Sequence, residues 1–345
     1  MAELTLAVWN MEWMNDLFGP NQDAPAFRPD DEPTAHSSDA TVKQRREHLS
    51  SLLQELKADL IVIVEGPNRT GELQLFFDED MPGSWQTYVQ PGKGLVQNVC
   101  LAVRVDEGRF ADIPMKTFDT NNLEVFDPFQ VDVDEDGISE QYQFSRRPLY
   151  TEIYPKDGNP FRILGLHLKS KGIFSSYEWS KWWQIADANR RKILAQATRI
   201  RLDFLDPYFE DPETANIPLI VCGDINDGPG LDASEKRLFG SGIERLMGTV
   251  WKPDVCFGNA LFDQLSKNDQ RKLDFSDIYT TNFKDPIFNS TWHRVWIDHV
   301  LYSKNGLGSW VHDARVHRMS QSGEPVWRTY PHASDHFPIV ATVST

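Results

Sequence analysis

Short apolar runs rich in β-branched residues recur along the chain and predict strands. They occupy residues 4–8, 60–64, 99–103, 162–166, 218–222, 295–302 and 339–343. Two longer segments, 42–56 and 189–204, repeat apolar residues about every three to four positions, which predicts amphipathic helices. Strands mixed with helices, without an internal repeat, indicate an α/β or α+β domain.

Three insertions interrupt this order of strands and helices. Residues 18–39 and 119–141 lack periodicity and are predicted as surface loops, whereas 171–188 concentrates aromatic residues between Phe174 and Trp183. The run from Asp132 to Gly137 resembles the opening of a calcium loop, but its twelfth position is Gln143 and not glutamate, so we interpret it as an acidic turn. No break is long and Pro/Ser-rich, which predicts one domain covering residues 1–345.

Composition limits the classes of partner and setting. The chain has 345 residues, of which 40% are hydrophobic, and its 35 basic and 51 acidic residues give a formal charge of −16. Such a charge repels polyanions at long range, so a phosphate-bearing substrate must be captured locally by a metal or nearby cations. No apolar stretch predicts a membrane span, and no signal peptide is expected. Three widely spaced cysteines favour a reducing, cytoplasmic setting.

One apolar run leads directly into a polar turn that contains Asp224 and Asn226. These residues are two positions apart, so in an extended chain both side chains would point to the same face. A carboxylate beside an amide suits a site where one group orients a water and the other holds a phosphoryl oxygen or a metal. A turn in which both side chains satisfy backbone groups is the alternative.

An acid and an imidazole, Asp335 and His336, precede the last predicted strand. Histidine suits proton transfer near neutral pH. Because neighbouring residues on a strand face opposite ways, we expect a carboxylate other than Asp335 to orient His336. The candidate is Asp298, an acid inside an otherwise apolar run, where an unpaired charge would be costly. The alternative is an aspartate that backbone amides satisfy.

Glu65 and Asn10 each end an apolar run. Their oxygen atoms are hard ligands that suit Mg²⁺ or Mn²⁺, although a polar strand-end cap is the simpler interpretation of either residue alone. No pattern of cysteines or paired histidines suggests zinc ligation.

Cations follow a further strand end, where His167, Lys169 and Lys171 alternate and would share one face. They could donate charge-assisted hydrogen bonds to a phosphate, and Arg146 and Arg147 could do the same. A solvated surface is the alternative for all of these cations.

The order of these motifs resembles the endonuclease/exonuclease/phosphatase superfamily, which includes pancreatic deoxyribonuclease, abasic-site endonucleases, deadenylases, inositol-polyphosphate phosphatases and neutral sphingomyelinases. The resemblance covers essentially the whole chain. It rests on Trp9-Asn10, Glu65, Arg146-Arg147-Pro148, Gly165-Leu-His167, Gly223-Asp224-Ile-Asn226, Ile297-Asp298-His299 and Ser334-Asp335-His336. His299 departs from familiar members, and the resemblance leaves its part in the site open.

The resemblance implies a fold and a division of roles. The fold would be a four-layer sandwich of two packed, mostly antiparallel sheets flanked by helices, with the site at one edge. The catalytic residues would be His336, Asp298, Asp224, Asn226, His167 and Arg146. The ligands of Mg²⁺ or Mn²⁺ would be Glu65, Asn10 and Asp335, and the substrate-binding cations would be Lys169, Lys171 and Arg147. Asp298 would orient His336, and this dyad would handle the proton of the attacking water.

The expected activity is metal-dependent hydrolysis of a phosphate ester. DNA or RNA is the expected substrate, because the segment from His167 to Gly172 looks most like bacterial nuclease-type members, and aromatics near Trp183 could stack bases. A phosphomonoesterase or a lipid-headgroup phosphodiesterase, of the inositol phosphate or sphingomyelin type, is the alternative. A noncatalytic binding scaffold is a third possibility, which the competent residue at each expected catalytic position disfavours. The sequence indicates no protein partner.

Overall fold

Two six-stranded sheets pack face to face at the centre of the protein. The computed structural model describes residues 3–20, 24–34, 40–92, 97–134, 136–172, 179–228, 238, 240–272, 278–284, 291–304 and 308–345. Its strands are β1 (Glu3–Asn10), β2 (Leu60–Gly66), β3 (Trp85–Val89), β4 (Asn98–Arg104), β5 (Phe110–Thr117), β6 (Phe129–Val131), β7 (Glu140–Tyr142), β8 (Leu149–Pro155), β9 (Phe161–His167), β10 (Leu219–Asp224), β11 (Gly258–Asn259), β12 (Thr281–Lys284), β13 (Trp292–Val295), β14 (Asp298–Tyr302), β15 (Val311–Val316) and β16 (Ile339–Ser344).

The helices lie between these strands. The α-helices are α1 (Val42–Leu56), α2 (Thr70–Asp80), α3 (Trp182–Ile200), α4 (Asp206–Glu210), α5 (Gly242–Met247), α6 (Ala260–Asp263), α7 (Lys267–Lys272) and α8 (Val326–Thr329). Single turns of 3₁₀ helix occur at Met14–Leu17, Thr120–Asn122, Glu124–Phe126, Trp179–Lys181 and Pro253–Val255, and a π-helical turn, Arg201–Leu205, joins α3 to α4. Helix α1 begins at a capping box in which Thr41 and Gln44 satisfy each other's backbone N–H groups.

Each large sheet has one parallel pair at its centre. The strand orders are β15–β16–β1–β2–β4–β3 and β11–β14–β10–β9–β8–β5. Strands β1 and β2 are parallel, as are β9 and β10, and every other neighbouring pair is antiparallel. The two parallel pairs pack across from each other. Because parallel strands end at the same edge, this arrangement brings the carboxyl ends of four strands to one end of the sandwich.

Strand alternation builds three apolar layers. In β1, Leu4, Leu6 and Val8 enter the core that the two sheets share, whereas Ala7 and Trp9 face the opposite way. A second core joins that outer face to α1 and α2, and a third joins the outer face of the other sheet to α3, α4 and α5. The predicted four-layer sandwich of mostly antiparallel sheets flanked by helices is therefore confirmed.

Each of the seven predicted strands has a counterpart, but the run 295–302 is two strands and not one. Strand β13 pairs with β12 in a separate hairpin, while β14 pairs with β10 and β11. Between them, the Thr280 hydroxyl accepts hydrogen bonds from the backbone N–H groups of Ile297, at 3.2 Å, and Asp298, at 3.0 Å. These bonds take the place of ladder hydrogen bonds and redirect the chain into the main sheet.

Helix α1 matches the predicted segment 42–56, but α3 begins seven residues before the predicted 189, at Trp182. The insertion 119–141 is more than a surface loop, because its Phe126 and Thr120 are buried and it contains the β6–β7 hairpin. In the insertion 18–39, the described residues make isolated bridges from Phe18 to Phe27 and from Pro33 to Thr41. The single domain of 1–345 stays a prediction.

The cysteines and the helices bear on the expected setting of the protein. Cys100, Cys222 and Cys256 are free and buried. None of the helices in the described ranges combines the length and apolar character that crossing a bilayer requires.

We expect Gly223→Ala to lower the free energy of unfolding by about 3 kcal/mol or more. Gly223 has a φ of +123°, and a Cβ added there would lie 2.2 Å from the carbonyl oxygen of Leu166. Gly108 is the matched control, since its φ is +65° and a Cβ there would meet nothing within 4 Å. Urea unfolding should show a loss of only about 1 kcal/mol for Gly108→Ala. Equal losses would contradict the steric argument.

Candidate active site

The inner face of the sandwich changes from apolar to polar at one end. Asn10, His167 and Asp224 are the last residues of β1, β9 and β10, and Asp298 is the first residue of β14. All four are buried. Asp224 stands beside His167 on one neighbouring strand and beside Asp298 on the other. The same alternation that fills the core with apolar side chains therefore gathers these polar groups at its edge.

Glu65 reaches this edge through a backbone irregularity. Simple alternation along β2 would turn Glu65 outward, because Ile61 and Ile63 already belong to the outer core. A register shift between Ile63 and Gly66, with Glu65 at a φ of 57°, redirects its side chain. The carboxylate then accepts hydrogen bonds from Gln97 Nε2, at 2.6 Å, and from the backbone N–H of Trp13, at 3.0 Å.

Asn10 joins the carboxylates of the two sheets. Its Oδ1 accepts the backbone N–H of Glu12, at 2.9 Å, which fixes the orientation of the amide. Its Nδ2 then faces Glu65 Oε1, at 3.3 Å, and Asp224 Oδ2, at 3.1 Å. An amide oxygen has two lone pairs, so this hydrogen bond leaves Oδ1 able to bind a metal as well. The hydrogen bonds of Nδ2 orient Glu65 and Asp224, and the assignment of Asn10 as a metal ligand stays a prediction.

Asp298 and His336 form a hydrogen-bonded pair. His336 Nδ1 lies 2.8 Å from Asp298 Oδ2, so Nε2 is the ring nitrogen directed elsewhere. Burial opposes charging the ring, but the carboxylates of Asp298, Asp335 and Asp224 outweigh it and raise the pKa of His336 well above its usual value. The raised pKa favours the protonated form of the imidazole.

The carboxylate of Asp335 lies near the imidazole of His336, which adjacent residues on one strand would not allow. Its Oδ1 is 3.8 Å from His336 Nε2. The expected opposite orientation of the two side chains is wrong, because both residues precede β16 and are not part of it. The backbone carbonyl of Asp335 accepts from the Thr281 hydroxyl, at 2.8 Å, and from the backbone N–H of Asn282, at 3.1 Å. Strand β12 therefore holds this segment in place.

Asp224 is buried, and both of its carboxylate oxygens accept hydrogen bonds. Its Oδ1 accepts the backbone N–H of Asn226, at 2.9 Å, and its Oδ2 accepts Asn10 Nδ2. Burial, followed by repulsion from Asp298, raises the pKa of Asp224 to about 7. Asn226 does not continue the extended chain, because its φ is 56° and its amide donates to the Leu168 carbonyl, at 3.2 Å. The two side chains therefore do not share a face as expected.

His167 and Arg146 complete the reactive edge. His167 Nε2 lies 3.7 Å from Glu65 Oε1 and 3.8 Å from Asp224 Oδ2, while its buried Nδ1 has no hydrogen-bond partner in the described residues. Burial and nearby cations, first Arg146, lower the pKa of His167 well below its usual value, so the ring is neutral. Arg146 donates to the side-chain oxygen of Gln97, which in turn holds Glu65.

Two expected substrate-binding cations have other partners. Arg147 is buried and pairs with Asp127, at 2.6 Å. Lys171 contacts the carboxylate of Asp227, which also accepts the backbone N–H of Gly242 at the start of α5. In both cases a buried or partly buried cation pairs with a carboxylate that another segment supplies, and the substrate-binding role of each residue stays a prediction. Lys169 instead donates to the Ser170 carbonyl, at 2.8 Å.

Sequence reasoning missed two residues of this site. Glu12 lies near Asp335 and Glu65, and burial followed by the charge of Asp335 raises its pKa to about 8. Its place two positions after Asn10 is the signal that could have identified it. Gln97 bonds to both Glu65 and Arg146 but follows no motif, so no pattern in the sequence indicates it.

The acidic residues of the site fit a hard divalent cation. Glu12, Glu65, Asp224 and Asp335 supply oxygen atoms, and the raised pKa values of Glu12 and Asp224 reflect carboxylates that burial and neighbouring charges destabilise. Asp298 Oδ1 is also buried without a hydrogen-bond partner in the described ranges. Ligand atoms of Asp224, Asp298 and His336 lie within 4.8 Å of one another.

The aromatic insertion is only partly described. Phe174 and Tyr177 lie outside the described residues, so their predicted stacking role is a prediction for which the structure offers no geometry. Trp182 and Trp183 begin α3, and Trp183 is exposed.

His299 stands on the outer face of its sheet and does not join the site. Its Nδ1 lies 3.2 Å from Asn259 Nδ2, which can only donate, so Nδ1 accepts and Nε2 carries the proton. Nε2 then donates to the backbone carbonyl of Asp227, at 2.8 Å. Burial is the main cause that lowers the pKa of His299 to about 4. The ring therefore anchors β14 to the turn after Asp224.

Comparisons with known proteins were informative for the family and the fold. The sequence model of the Endonuclease/Exonuclease/phosphatase family matches residues 7–336. No curated protein matches. Among solved structures, an endonuclease/exonuclease/phosphatase family protein from Bacteroides thetaiotaomicron is 15% identical, with 99% of this chain and 95% of that chain covered and a TM-score of 0.51. A functionally unknown conserved protein from Enterococcus faecalis is 14% identical, with 99% and 100% covered and a TM-score of 0.50. TDP2 from C. elegans is 13% identical, with 99% and 75% covered and a TM-score of 0.50. These likenesses show a shared fold.

We expect His299 to make the protein less stable as the pH falls from about 6.5 toward about 4. In that window the unfolded imidazole takes up a proton and the buried one does not, so acid favours unfolding. The loss should reach about 3 kcal/mol. His299→Gln should weaken this pH dependence, measured as the free energy of urea unfolding at several pH values. His312→Gln, which removes a surface imidazole, should not. If the free energy of unfolding depends on pH equally in the native protein and in His299→Gln, the predicted effect of His299 is contradicted.

Proposed function

We propose, from the premise that the chain belongs to the Endonuclease/Exonuclease/phosphatase family, that it is a divalent-metal-dependent phosphodiesterase that cleaves nucleic acid. Membership in the family makes it a phosphoesterase. The observation that carries the finer proposal is the Asn10 amide, which donates to Glu65 on one sheet and Asp224 on the other. This amide holds Glu65, which is suited to metal binding, beside Asp224, which is suited to proton transfer.

The metal would be held by Glu65, Asp335 and Glu12, with Mg²⁺ or Mn²⁺ as the expected ion. Although ligand atoms of Asp224, Asp298 and His336 lie within 4.8 Å of one another, His336 is bonded to Asp298 and its pKa is raised, which disfavours this cluster as the metal site. A bound cation would offset the charge that develops on the phosphoryl oxygens during in-line attack by water.

Asp224 is the group best suited to take the proton of the attacking water. Its pKa of about 7 keeps part of the population ionised at neutral pH, ready to accept a proton. Asp298 and the other acidic neighbours raise the pKa of His336, so its ring is better suited to donate a proton than to accept one in this step. A cationic His336 would instead donate a hydrogen bond from Nε2 to a phosphoryl oxygen.

His167, Arg146 and Asn226 support the phosphate and the nucleophile. The neutral ring of His167 lies between Glu65 and Asp224, where it can donate a single hydrogen bond. Arg146 is oriented by Gln97 and can hold a non-bridging oxygen. Asn226 acts through its backbone N–H, which fixes the carboxylate of Asp224.

Short or single-stranded nucleic acid is the preferred substrate. The net charge of −16 opposes tight binding to long duplex, which depends mostly on neutralising phosphates. Lys169 offers a cation near the reactive edge, and the exposed Trp183 at the start of α3 offers an aromatic face. A cytoplasmic setting is part of the same proposal.

We expect purified protein to cleave oligonucleotides with Mg²⁺ or Mn²⁺ and to stop when a chelator is added. Asp224→Asn and His336→Gln should each lower kcat by about 10²- to 10⁴-fold, because they remove the proton acceptor and a donor to the phosphate. Asp313→Asn removes an exposed carboxylate and should leave kcat unchanged. The same assay should also be run with nucleotides, inositol phosphates and sphingomyelin as substrates.

Release of inorganic phosphate from a small monoester, with oligonucleotides left intact, would select the phosphomonoesterase alternative. Cleavage of sphingomyelin alone would select the lipid-headgroup alternative. Undiminished cleavage by both substituted proteins would refute the assignment of the catalytic residues, and absence of any metal-dependent turnover would favour the noncatalytic scaffold.

A further inference from the structure

The side chain of Gln196 links three segments that each carry a cation, beside the reactive edge. Gln196 is buried on α3, and its Oε1 accepts the backbone N–H of Lys169, at 3.0 Å. Its Nε2 donates to the carbonyl of Gln143, at 2.9 Å, three residues before Arg146. Lys192 precedes Gln196 by one helical turn and so lies on the same face of α3. Gln196 therefore ties together the three segments that carry Arg146, Lys169 and Lys192.

These three cations lack acidic partners, unlike the cations around them. In the part of the chain that the structure describes, Arg146, Lys169 and Lys192 form no ion pair. Arg146 donates to Gln97, and Lys169 donates to the Ser170 carbonyl. The neighbouring cations do pair with carboxylates: Lys171 and Arg190 with Asp227, and Arg191 with Asp134.

The cations are also close enough to repel one another. The pKa of Lys169 is lowered by burial first, and then by the charges of Lys192 and Arg146. The pKa of Lys192 is lowered by burial and by Arg146. In a chain with a net charge of −16, three partly buried cations that form no ion pair in the described residues are a local exception, although Arg146 is also attracted by Glu65 and Asp224. An anion bound among them would offset the repulsion and stabilise the charged forms.

The group adjoins the reactive edge and does not coincide with it. The charges of Arg146 and Lys169 both lower the pKa of the buried ring of His167. Arg146 connects through Gln97 to Glu65, whereas Lys192 lies on α3, beyond Arg146. A substrate whose reacting phosphate contacts Arg146 would therefore place its next charged group near Lys169 and Lys192.

We propose that Lys169 and Lys192, with Arg146 at the boundary, form an anion subsite that binds a second phosphate of the substrate. The subsite rests on the proposed function, and it deepens that function by naming a substrate class: phosphate esters that carry another phosphate one unit away. An isolated monoester or diester would leave the subsite empty and would bind less tightly.

The test compares ligands that differ by one phosphate. Thymidine 3′,5′-bisphosphate and thymidine 5′-phosphate are titrated by calorimetry, and the p-nitrophenyl 5′-phosphate esters with and without the 3′-phosphate are assayed for turnover. The native protein should bind the bisphosphate about tenfold more tightly. Lys192→Gln should reduce this ratio to about threefold or less. Lys43→Gln removes an exposed charge on α1 and should preserve the ratio.

Equal binding of the two nucleotides to the native protein would overturn the subsite, as would an unchanged ratio in Lys192→Gln. Lys169→Gln provides a second variant, and circular dichroism checks the fold of each. If neither ester is turned over while the binding ratio behaves as expected, the proposed function fails and the subsite stands. If both esters are turned over at equal kcat/KM and the binding ratio is absent, the subsite alone fails.

Discussion

The amide of Asn10 is the interaction on which the rest of the site depends. Its oxygen is fixed by the backbone N–H of Glu12, so its nitrogen must face Glu65 on its own sheet and Asp224 on the other. The two carboxylates can meet only because each sheet has a parallel pair at its centre, and these pairs pack across from each other. The topology therefore decides which strand ends share an edge, and the amide decides how the acids there are oriented.

Charge divides this edge into two complementary halves. On the acidic half, burial and neighbouring carboxylates raise the pKa values of Glu12 and Asp224, and a bound cation would relieve that strain. On the basic half, burial and neighbouring cations lower the pKa values of Lys169 and Lys192, and a bound anion would do the same there. A metal ion bound to a phosphate supplies the positive and the negative charge together. The arrangement thus favours a substrate that brings phosphate to a resident cation.

The sequence predicted the architecture well and the site in part, for physical reasons. Apolar runs that stop at a polar residue mark strand ends, which is how Asp224 could be identified, whereas Asp298 could be identified as an acid inside an otherwise apolar run. Local patterns could not separate Arg146 from Arg147, because only the distant Asp127 gives the second a structural partner. Glu65 reaches the inner face through a bulge that alternation does not predict. Gln97 carries no motif, and its contacts exist only in the folded chain.

Anomalous diffraction from crystals grown with Mn²⁺ is the most direct test of the central claim that this edge binds a divalent cation. The account predicts one strong manganese peak bonded to the carboxylate of Glu65, with Asp335 or Glu12 in its coordination shell, and loss of that peak in Glu65→Gln. The acidic turn that contains Asp132, Asp134 and Asp136 is an internal comparison, since it also gathers three carboxylates. A peak at that turn alone, or none at Glu65, would contradict the account.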